Sequence, residues 1–583
     1  MSDDVRLTAR QALHDRYLQV TKLGDASRLA YLHGPETSWT LDEAAALWRR
    51  ALERPPSELE SLNCVYLHVP FCKSICDFCN YDRLKPSSPM LLKNWVARVT
   101  SAIEVLGPAV RPLTFHALYI GGGTPSVLPA KLLHEVLEAL DRNLTWHPNA
   151  ARRMEFDPAV MNRERMEVLA RHGFRQLSFG IETLDPEINA RHNRGRQGIE
   201  MIERCFDDMQ SVGIGNVACD FLLGLAGTTP DGMLAEIETV LTRFRPAWVD
   251  IFMLTPTQAY VTSHFGGSFD AFWRHMKPFE AVVPAALPDL AARTGYVIRV
   301  GSGHHMMLMR GDAMPGGAWS GSPDAQPLYS YTALTSESRR PLNLLGLGRS
   351  ARSVLFGAAA MAARDPEDDP AVEGATDFVG NVMDLADEAR TFLVHLLRDA
   401  DTVDRDEFRR IFGADMADVI PGALAGWAAE GTARLEADVL RFVPQDRFER
   451  VRTLLWLVPE DDLEYDLARF DQLDLSPAGV SAMAAAIAPG LELDGGYALA
   501  DADGNRLLLR SPGGRTLRLR IAPALADGDP LRLVLETPPD GEDVASLRRA
   551  VNRLRAVLSH RHQSNTRRGG SSDHSRPAIH SAR

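Results

Sequence analysis

No apolar run in the chain is long enough to cross a bilayer, which takes about 20 residues, so a membrane-spanning helix is not expected. Cysteine is scarce, six in 583 residues, and this argues against the disulfide framework of a small secreted fold. Basic charge is in deficit, with 64 Lys and Arg against 77 Asp and Glu and a net charge of −13. Nothing in that balance suggests a nucleic-acid-binding surface. The opening Met1-Ser2-Asp3-Asp4 is acidic and polar, unlike a secretory signal. These absences leave a cytoplasmic, soluble protein, and 583 residues make several domains the expectation.

The few cysteines are unevenly placed. Cys72, Cys76 and Cys79 fall inside eight residues as C-x3-C-x2-C, within Tyr66-Leu67-His68-Val69-Pro70-Phe71-Cys72 and Cys76-Asp77-Phe78-Cys79. Thiolates are soft ligands that suit iron–sulfur clusters and zinc. A structural zinc site normally closes with four ligands; here His68 or Cys64 would have to be the fourth. Three ligands instead suit a cubane cluster with one iron left for a non-protein group. The apolar run Val65 to Val69 reads as a strand that Pro70 ends, so the cysteines belong to a loop leaving a first strand. Cys64, Cys205 and Cys219 read as buried free thiols.

From Val65 onward β-like runs alternate with helical patterns. Strands are expected at 65–69, 115–120, 152–156, 175–179, 216–223 and 247–253, and helices at 130–141, 162–172, 197–212 and 231–244. Such alternation predicts a parallel sheet covered by helices, with the site at the carboxyl ends of the strands. The second strand runs into Gly121-Gly122-Gly123-Thr124-Pro125, where glycines allow close approach of a ligand and Thr124 is placed to cap the next turn. Glu155, Glu182 and Asp220 are expected at strand ends around one mouth, with Arg194 nearby. Carboxylates there accept from hydroxyl or amino groups, and arginine holds a carboxylate in a fork.

The series Y-x-H-x-P-F-C-x3-C-x-F-C, G-G-G-T-P, E-x-x-P, L-S-x-G-I-E, D-x-x-x-G-L and Gly346-Leu347-Gly348-Arg349-Ser350-Ala351 resembles one family, the oxygen-independent coproporphyrinogen III oxidase-like radical S-adenosylmethionine (SAM) proteins. The resemblance covers about residues 60–360. It implies a partial (β/α)6 barrel in which Cys72, Cys76 and Cys79 hold a [4Fe-4S] cluster. Tyr66, Gly122, Gly123, Thr124, Glu155, Glu182, Arg194 and Asp220 would surround SAM. The implied chemistry is reductive cleavage of SAM to a 5′-deoxyadenosyl radical, acting on a small organic or heterocyclic substrate, with an electron donor such as flavodoxin or ferredoxin. Family members include the oxidase of porphyrin biosynthesis, haem chaperones and C-methyltransferases. Tyr81 stands where the oxidase has a fourth cysteine, Glu182 replaces the usual glutamine, and Gln176 fills a slot commonly held by arginine. These departures point away from the decarboxylating oxidase and make C-methylation the expected specialisation.

The expected organisation is a helical N-terminal extension (1–60), the radical SAM core (61–360) and an acidic linker (361–375) containing Asp365-Pro366-Glu367-Asp368-Asp369-Pro370. A helical, winged-helix-like unit (376–465), an accessory α+β unit (475–560) and a disordered tail (561–583) follow. In the first of these segments, Thr40 and Glu43 form a capping box for a helix from Leu41. His304 or His305, ahead of a Gly/Pro-rich stretch with Trp319, is expected to touch substrate.

Overall fold

A computed structural model describes residues 3–21, 36–53, 59–301, 305–311, 340–364, 377–467, 491–522 and 532–536, with short breaks, and parts of 546–558. His304, Trp319 and its Gly/Pro-rich surroundings, the acidic linker from Asp365 and the tail from 561 lie outside the described residues.

Ahead of the barrel lie helix α1 (Asp3–Thr21), strand β1 (Glu36–Trp39) and helix α2 (Leu41–Glu53). The α2 capping box forms: Thr40 N–H donates to Glu43 at 2.8 Å and Glu43 N–H donates to Thr40 Oγ1 at 3.3 Å. The barrel strands are β2 (Leu62–Val69), β3 (Thr114–Gly122), β4 (Thr145–Glu155), β5 (Gln176–Glu182), β6 (Asn216–Leu223) and β7 (Trp248–Met253). Each pairs parallel with the next. Helices α3 (Pro89–Val110), α4 (Ala130–Asn143), α5 (Arg163–Arg171), α6 (Pro186–Arg191), α7 (Ile199–Ser211) and α8 (Pro230–Arg243) fill the crossovers. Two more, α9 (Gln258–Phe265) and α10 (Phe269–Thr294), follow β7. Local signals set the helix starts: Asn162 Oδ1 accepts from Arg165 N–H at 3.1 Å, and Thr229, ahead of Pro230, accepts from Gly232 N–H at 3.2 Å.

The strand faces divide the chemistry. One face of β2–β7, with Val65, Leu67, Leu118, Ile120, Leu177, Phe179, Val217, Cys219, Val249 and Ile251, packs under the helices in the main core. The alternate residues face inward. Beyond β7 the sheet continues antiparallel through β8 (Tyr296–Gly301) and β9 (His305–Arg310), with β9 against β7. On the other side β10 (Leu342–Leu347) runs parallel to β2, followed by antiparallel β11 (Arg352–Leu355), β12 (Ala359–Ala363) and β13 (Phe378–Val382).

The N-terminal segment is more than a lead-in to the barrel. Leu13 and Tyr17 of α1 are buried in a second core with Phe392, Phe408, Trp427 and Leu455. That core belongs to the helices 385–397, 405–412 and 421–430 and a three-stranded antiparallel sheet of β14 (Thr402–Asp404), β15 (Ala433–Leu435) and β16 (Val439–Phe442). Strand β1 in turn pairs antiparallel with β13 and parallel with β20 (Arg532–Leu535). It joins the barrel sheet to β17 (Ala498–Asp503), β18 (Arg506–Arg510) and β19 (Thr516–Ala522). Pairing between segments this far apart in sequence depends on tertiary closure, which local pattern does not encode. No helix among the described residues is long and apolar enough to cross a membrane.

Candidate functional site

The cysteine loop leaves β2 after Val69 and is pinned at its neck. Leu84 N–H donates to Pro70 O at 2.6 Å and Cys72 N–H donates to Leu84 O at 2.8 Å. The glycine turn after β3 hooks onto the same neck, with Gly123 N–H on Val69 O and Thr124 N–H on Phe71 O, both at 2.7 Å. Two glycines are required there. A Cβ at Gly123 would lie 2.9 Å from Cys72 Sγ, and Gly122 has φ +110° with the His68 ring 2.9 Å from where a Cβ would sit. Thr124 does not cap the turn through its side chain; its hydroxyl lies 3.5 Å from Cys72 Sγ.

The residues after α6 hold the rest of the loop. His192 O accepts from Asp77 N–H at 3.1 Å, and Asn193 Nδ2 donates to Ile75 O at 2.6 Å. Arg194 Nη1 reaches to 3.9 Å from Cys76 Sγ, while Nη2 donates to Gly180 O at 2.7 Å. From the other side, Asp82 is held by Arg349 Nε at 2.8 Å and by the Ser350 hydroxyl. The Gly-Leu-Gly-Arg-Ser motif after β10 thus clamps the far end of the loop. Burial pushes the Cys76 thiol up to about 11, with the Arg194 cation opposing. A nearby cation is the kind of group that favours a thiolate once a ligand draws on the sulfur.

The expected acidic residues come together, with one difference in placement. Glu155 ends β4 and accepts from the Tyr119 hydroxyl. Glu182 ends β5 in a left-handed conformation, φ 61°, a strained state for a non-glycine residue. Its carboxylate folds back to 3.3 Å from Arg194 Nη1, over Gly180, where a Cβ would meet Glu182 Oε1. Asp220 lies within β6 rather than at its end, in register with Gly180 and Asp250. The expected span, 216–223, is that of β6 itself; Asp220, expected among the strand-end residues, sits three residues before the end.

Burial raises the carboxyl pKa of Glu155 and Glu182, partly offset by Tyr119 and Arg153 at the first and by Arg194 at the second. Burial, with Asp250 adding to it, pushes Asp220 well above the usual carboxylate range. Burial alone would lower Arg194; Glu182 and Cys76 outweigh it and keep the guanidinium charged. Two buried atoms of this group have no protein partner, Arg194 Nε and Asp220 Oδ1. A buried polar atom without a partner costs about 1–3 kcal/mol, a cost that a bound polar ligand removes.

Tyr66 is on the inner face, and its hydroxyl donates to His68 Nδ1 at 3.1 Å while His68 Nε2–H donates to Asp82 O at 3.0 Å. With both ring nitrogens engaged, His68 is not available as a fourth zinc ligand. Cys64 lies in the β2 ladder, buried with Tyr66 and Leu344. Neither alternative closes a zinc site with the loop.

Arg153 was not anticipated. It is 2 % exposed, donates from Nε to Ser178 Oγ at 3.0 Å, and lies 5.3 Å and 5.2 Å from the ring centres of Tyr119 and Trp248. The signal was in the sequence: two residues before Glu155 on one strand, Arg153 shares its face. It also stands in register with Gln176, so a buried guanidinium is supplied one strand over from the glutamine.

Residues 66–240 match the family model described as "Radical SAM superfamily". Over 179 residues the chain is 28 % identical to the oxygen-independent coproporphyrinogen III oxidase of Cereibacter sphaeroides, covering 30 % of this chain and 40 % of that protein. Over 178 residues it is 25 % identical to the heme chaperone HemW of Bacillus subtilis, covering 30 % and 46 %. The chain thus spans less than half the length of these curated relatives. The solved structure of coproporphyrinogen III oxidase (HemN) from Escherichia coli superposes with a TM-score of 0.55 at 18 % identity, over 70 % of this chain and 92 % of that one, which shows a shared fold. Over the matched residues, which run from Tyr66 through the cysteine loop to α8, the chain is similar to the HemN/HemW-type, coproporphyrinogen III oxidase-like radical SAM proteins.

Proposed function

We propose that the chain is an enzyme in which Cys72, Cys76 and Cys79 hold a [4Fe-4S] cluster and Tyr66, Gly122, Gly123, Thr124, Glu155, Glu182, Arg194 and Asp220 surround SAM. When bound, the cluster supplies the electron that cleaves SAM to methionine and a 5′-deoxyadenosyl radical, which takes hydrogen from an organic or heterocyclic substrate.

The observation that carries this reading is the convergence of Arg194 on Glu182, Gly180 and Cys76, with Arg194 Nε and Asp220 Oδ1 left without protein partners. Arg194 is suited to hold a carboxylate as a fork, and Asp220 and Glu182 to accept from hydroxyl or amino donors. The Gly122–Gly123 turn keeps side chains out of the space beside Cys72. Tyr66, fixed by His68, forms one wall. An electron carrier such as flavodoxin or ferredoxin would supply the reducing equivalent. C-methylation is the specialisation we favour for the substrate step, and its support is the family resemblance together with Tyr81 at the position of the oxidase's fourth cysteine.

The test is anaerobic reconstitution with iron and sulfide, reduction in the presence of SAM, and chromatography for 5′-deoxyadenosine, comparing wild type with Cys76→Ala. Product in the wild type and none in the variant is expected. A reconstituted cluster that never cleaves SAM would turn the reading toward haem handling, and no cluster at all would sink it.

A further inference from the structure

At the β7–β9 margin of the barrel, the inner face ends in Trp248, Asp250 and Phe252, with His305 directly across the antiparallel pairing from Phe252. The Phe252 and His305 rings stack at 4.6 Å with 8° between their planes. Asp250 accepts from Trp248 Nε1–H at 3.1 Å and from His305 Nε2–H at 2.8 Å, which fixes the tautomer and orientation of the imidazole. The Asp250 side chain is 2 % exposed and that of His305 17 %, whereas Phe252 is 36 % exposed. Among the described residues of β2–β7 no other large apolar side chain is so open. An open aromatic face backed by a buried, donor-saturated carboxylate is what a site for a flat ligand offers.

Charge narrows the ligand. The described inner-face cations are already engaged: Arg153 lies buried between Tyr119 and Trp248, and Arg194 is paired with Glu182. Glu155, Glu182, Asp220 and Asp250 stand on the acidic side. The unpartnered Arg194 Nε lies on the guanidinium beside Cys76 that is proposed to hold the SAM carboxylate. The platform itself therefore offers a polycarboxylate no arginine, while a cation would find a π face backed by the Asp250 carboxylate.

We infer that Phe252, His305 and Asp250 form the substrate platform, and that it takes a planar heteroaromatic ring carrying positive charge or N–H donors in preference to a polycarboxylate. The inference rests on the radical SAM reading of the barrel and names the substrate class for that site.

Equilibrium dialysis of the full-length protein, without SAM, against proflavine (a planar cation) and coproporphyrin III (a planar tetracarboxylate) tests it. Proflavine is expected to bind at least about ten-fold more tightly, and Phe252→Ala to weaken it about five-fold or more, with Phe252→Trp retaining affinity. Asp250→Asn, which removes the charge at constant shape, is expected to weaken it as well. The Phe252 change alters no charge, so nonspecific attraction to a chain of net charge −13 is separated from the platform. Coproporphyrin III binding as tightly as proflavine, or a Phe252→Ala affinity within about two-fold of wild type, overturns the inference. Loss of 5′-deoxyadenosine formation with intact Phe252-dependent binding would instead count against the SAM reading alone.

Discussion

The parallel strands β2–β7 and the antiparallel strands β17–β20 belong to one hydrogen-bonded sheet joined through β1, yet they use their side chains in opposite ways. In β18–β20 one face is uniformly apolar: Leu507, Leu509, Leu517, Leu519, Ile521, Leu533 and Leu535 are buried together with Leu547, Val551 and Leu554. Of the alternate residues Arg506, Arg510, Thr516 and Arg518 are exposed, Leu508 is half-buried and Val534 buried, and Arg520 is paired with Glu536 at 3.2 Å. In the barrel one face is just as apolar, but the inner face carries Arg153, Glu155, Glu182, Asp220 and Asp250, with Asp220 Oδ1 unpartnered. Burying such charge without full pairing opposes folding. The barrel gathers several such groups on one face, where ligand chemistry is expected, whereas among its described residues the accessory sheet buries a single charged side chain, Arg520, against Glu536. The contrast teaches which layer is built for packing alone.

The largest expected effect breaks the barrel side of this comparison. Arg194→Ala would leave Glu182 buried without its cation, a loss of about 3–5 kcal/mol at a buried pair, and SAM affinity should fall about a hundred-fold or more. Isothermal titration with SAM measures it, and unchanged affinity would remove Arg194 from the site. Next is the accessory sheet. Leu519→Ala, fully buried in that layer, should cost about 2–5 kcal/mol, seen as lost hydrogen-exchange protection in 506–522, while 5′-deoxyadenosine formation is unaffected. Activity that fell in step with that protection would mean the layer supports the barrel site.

The smallest effect concerns the helical unit. Burial pushes the Glu388 carboxyl up to about 8, although it accepts from Gly357 N–H at 3.2 Å. Because the folded value lies above the unfolded one, its contribution to stability is greatest below about pH 4.5 and is lost as pH rises toward 8. Urea unfolding should therefore show a decline of about 2–3 kcal/mol between pH 5.5 and 8, reduced in Glu388→Gln. Equal pH slopes in both proteins would refute the assignment.

Much of the barrel was legible because its signals are local. The expected strands at 115–120 and 216–223 and helices at 130–141 and 231–244 correspond to β3, β6, α4 and α8, since alternation and caps act within a few residues. The cysteine loop and glycine turn were legible for the same reason: their spacing is short-range. The grip on the loop by His192, Asn193 and Arg349 was not, because those residues lie more than a hundred positions away. Asp250 and Arg153 gave no motif. Arg153 shares the face of Glu155 through their two-residue spacing on β4, whereas strand register alone brought Asp250 beside Asp220.

By itself, then, the sequence determined a parallel barrel with a thiol-bearing loop, because hydrophobic period, turn residues and ligand spacing are encoded along the chain. The tertiary structure alone decided that β1 ties the N-terminal segment to β13 and β20, that α1 completes a distant core, and that Glu182 and Arg194 meet over Gly180. Those outcomes depend on which surfaces are left to bury once the local elements exist, and on the closure of long loops, which no short stretch of residues specifies.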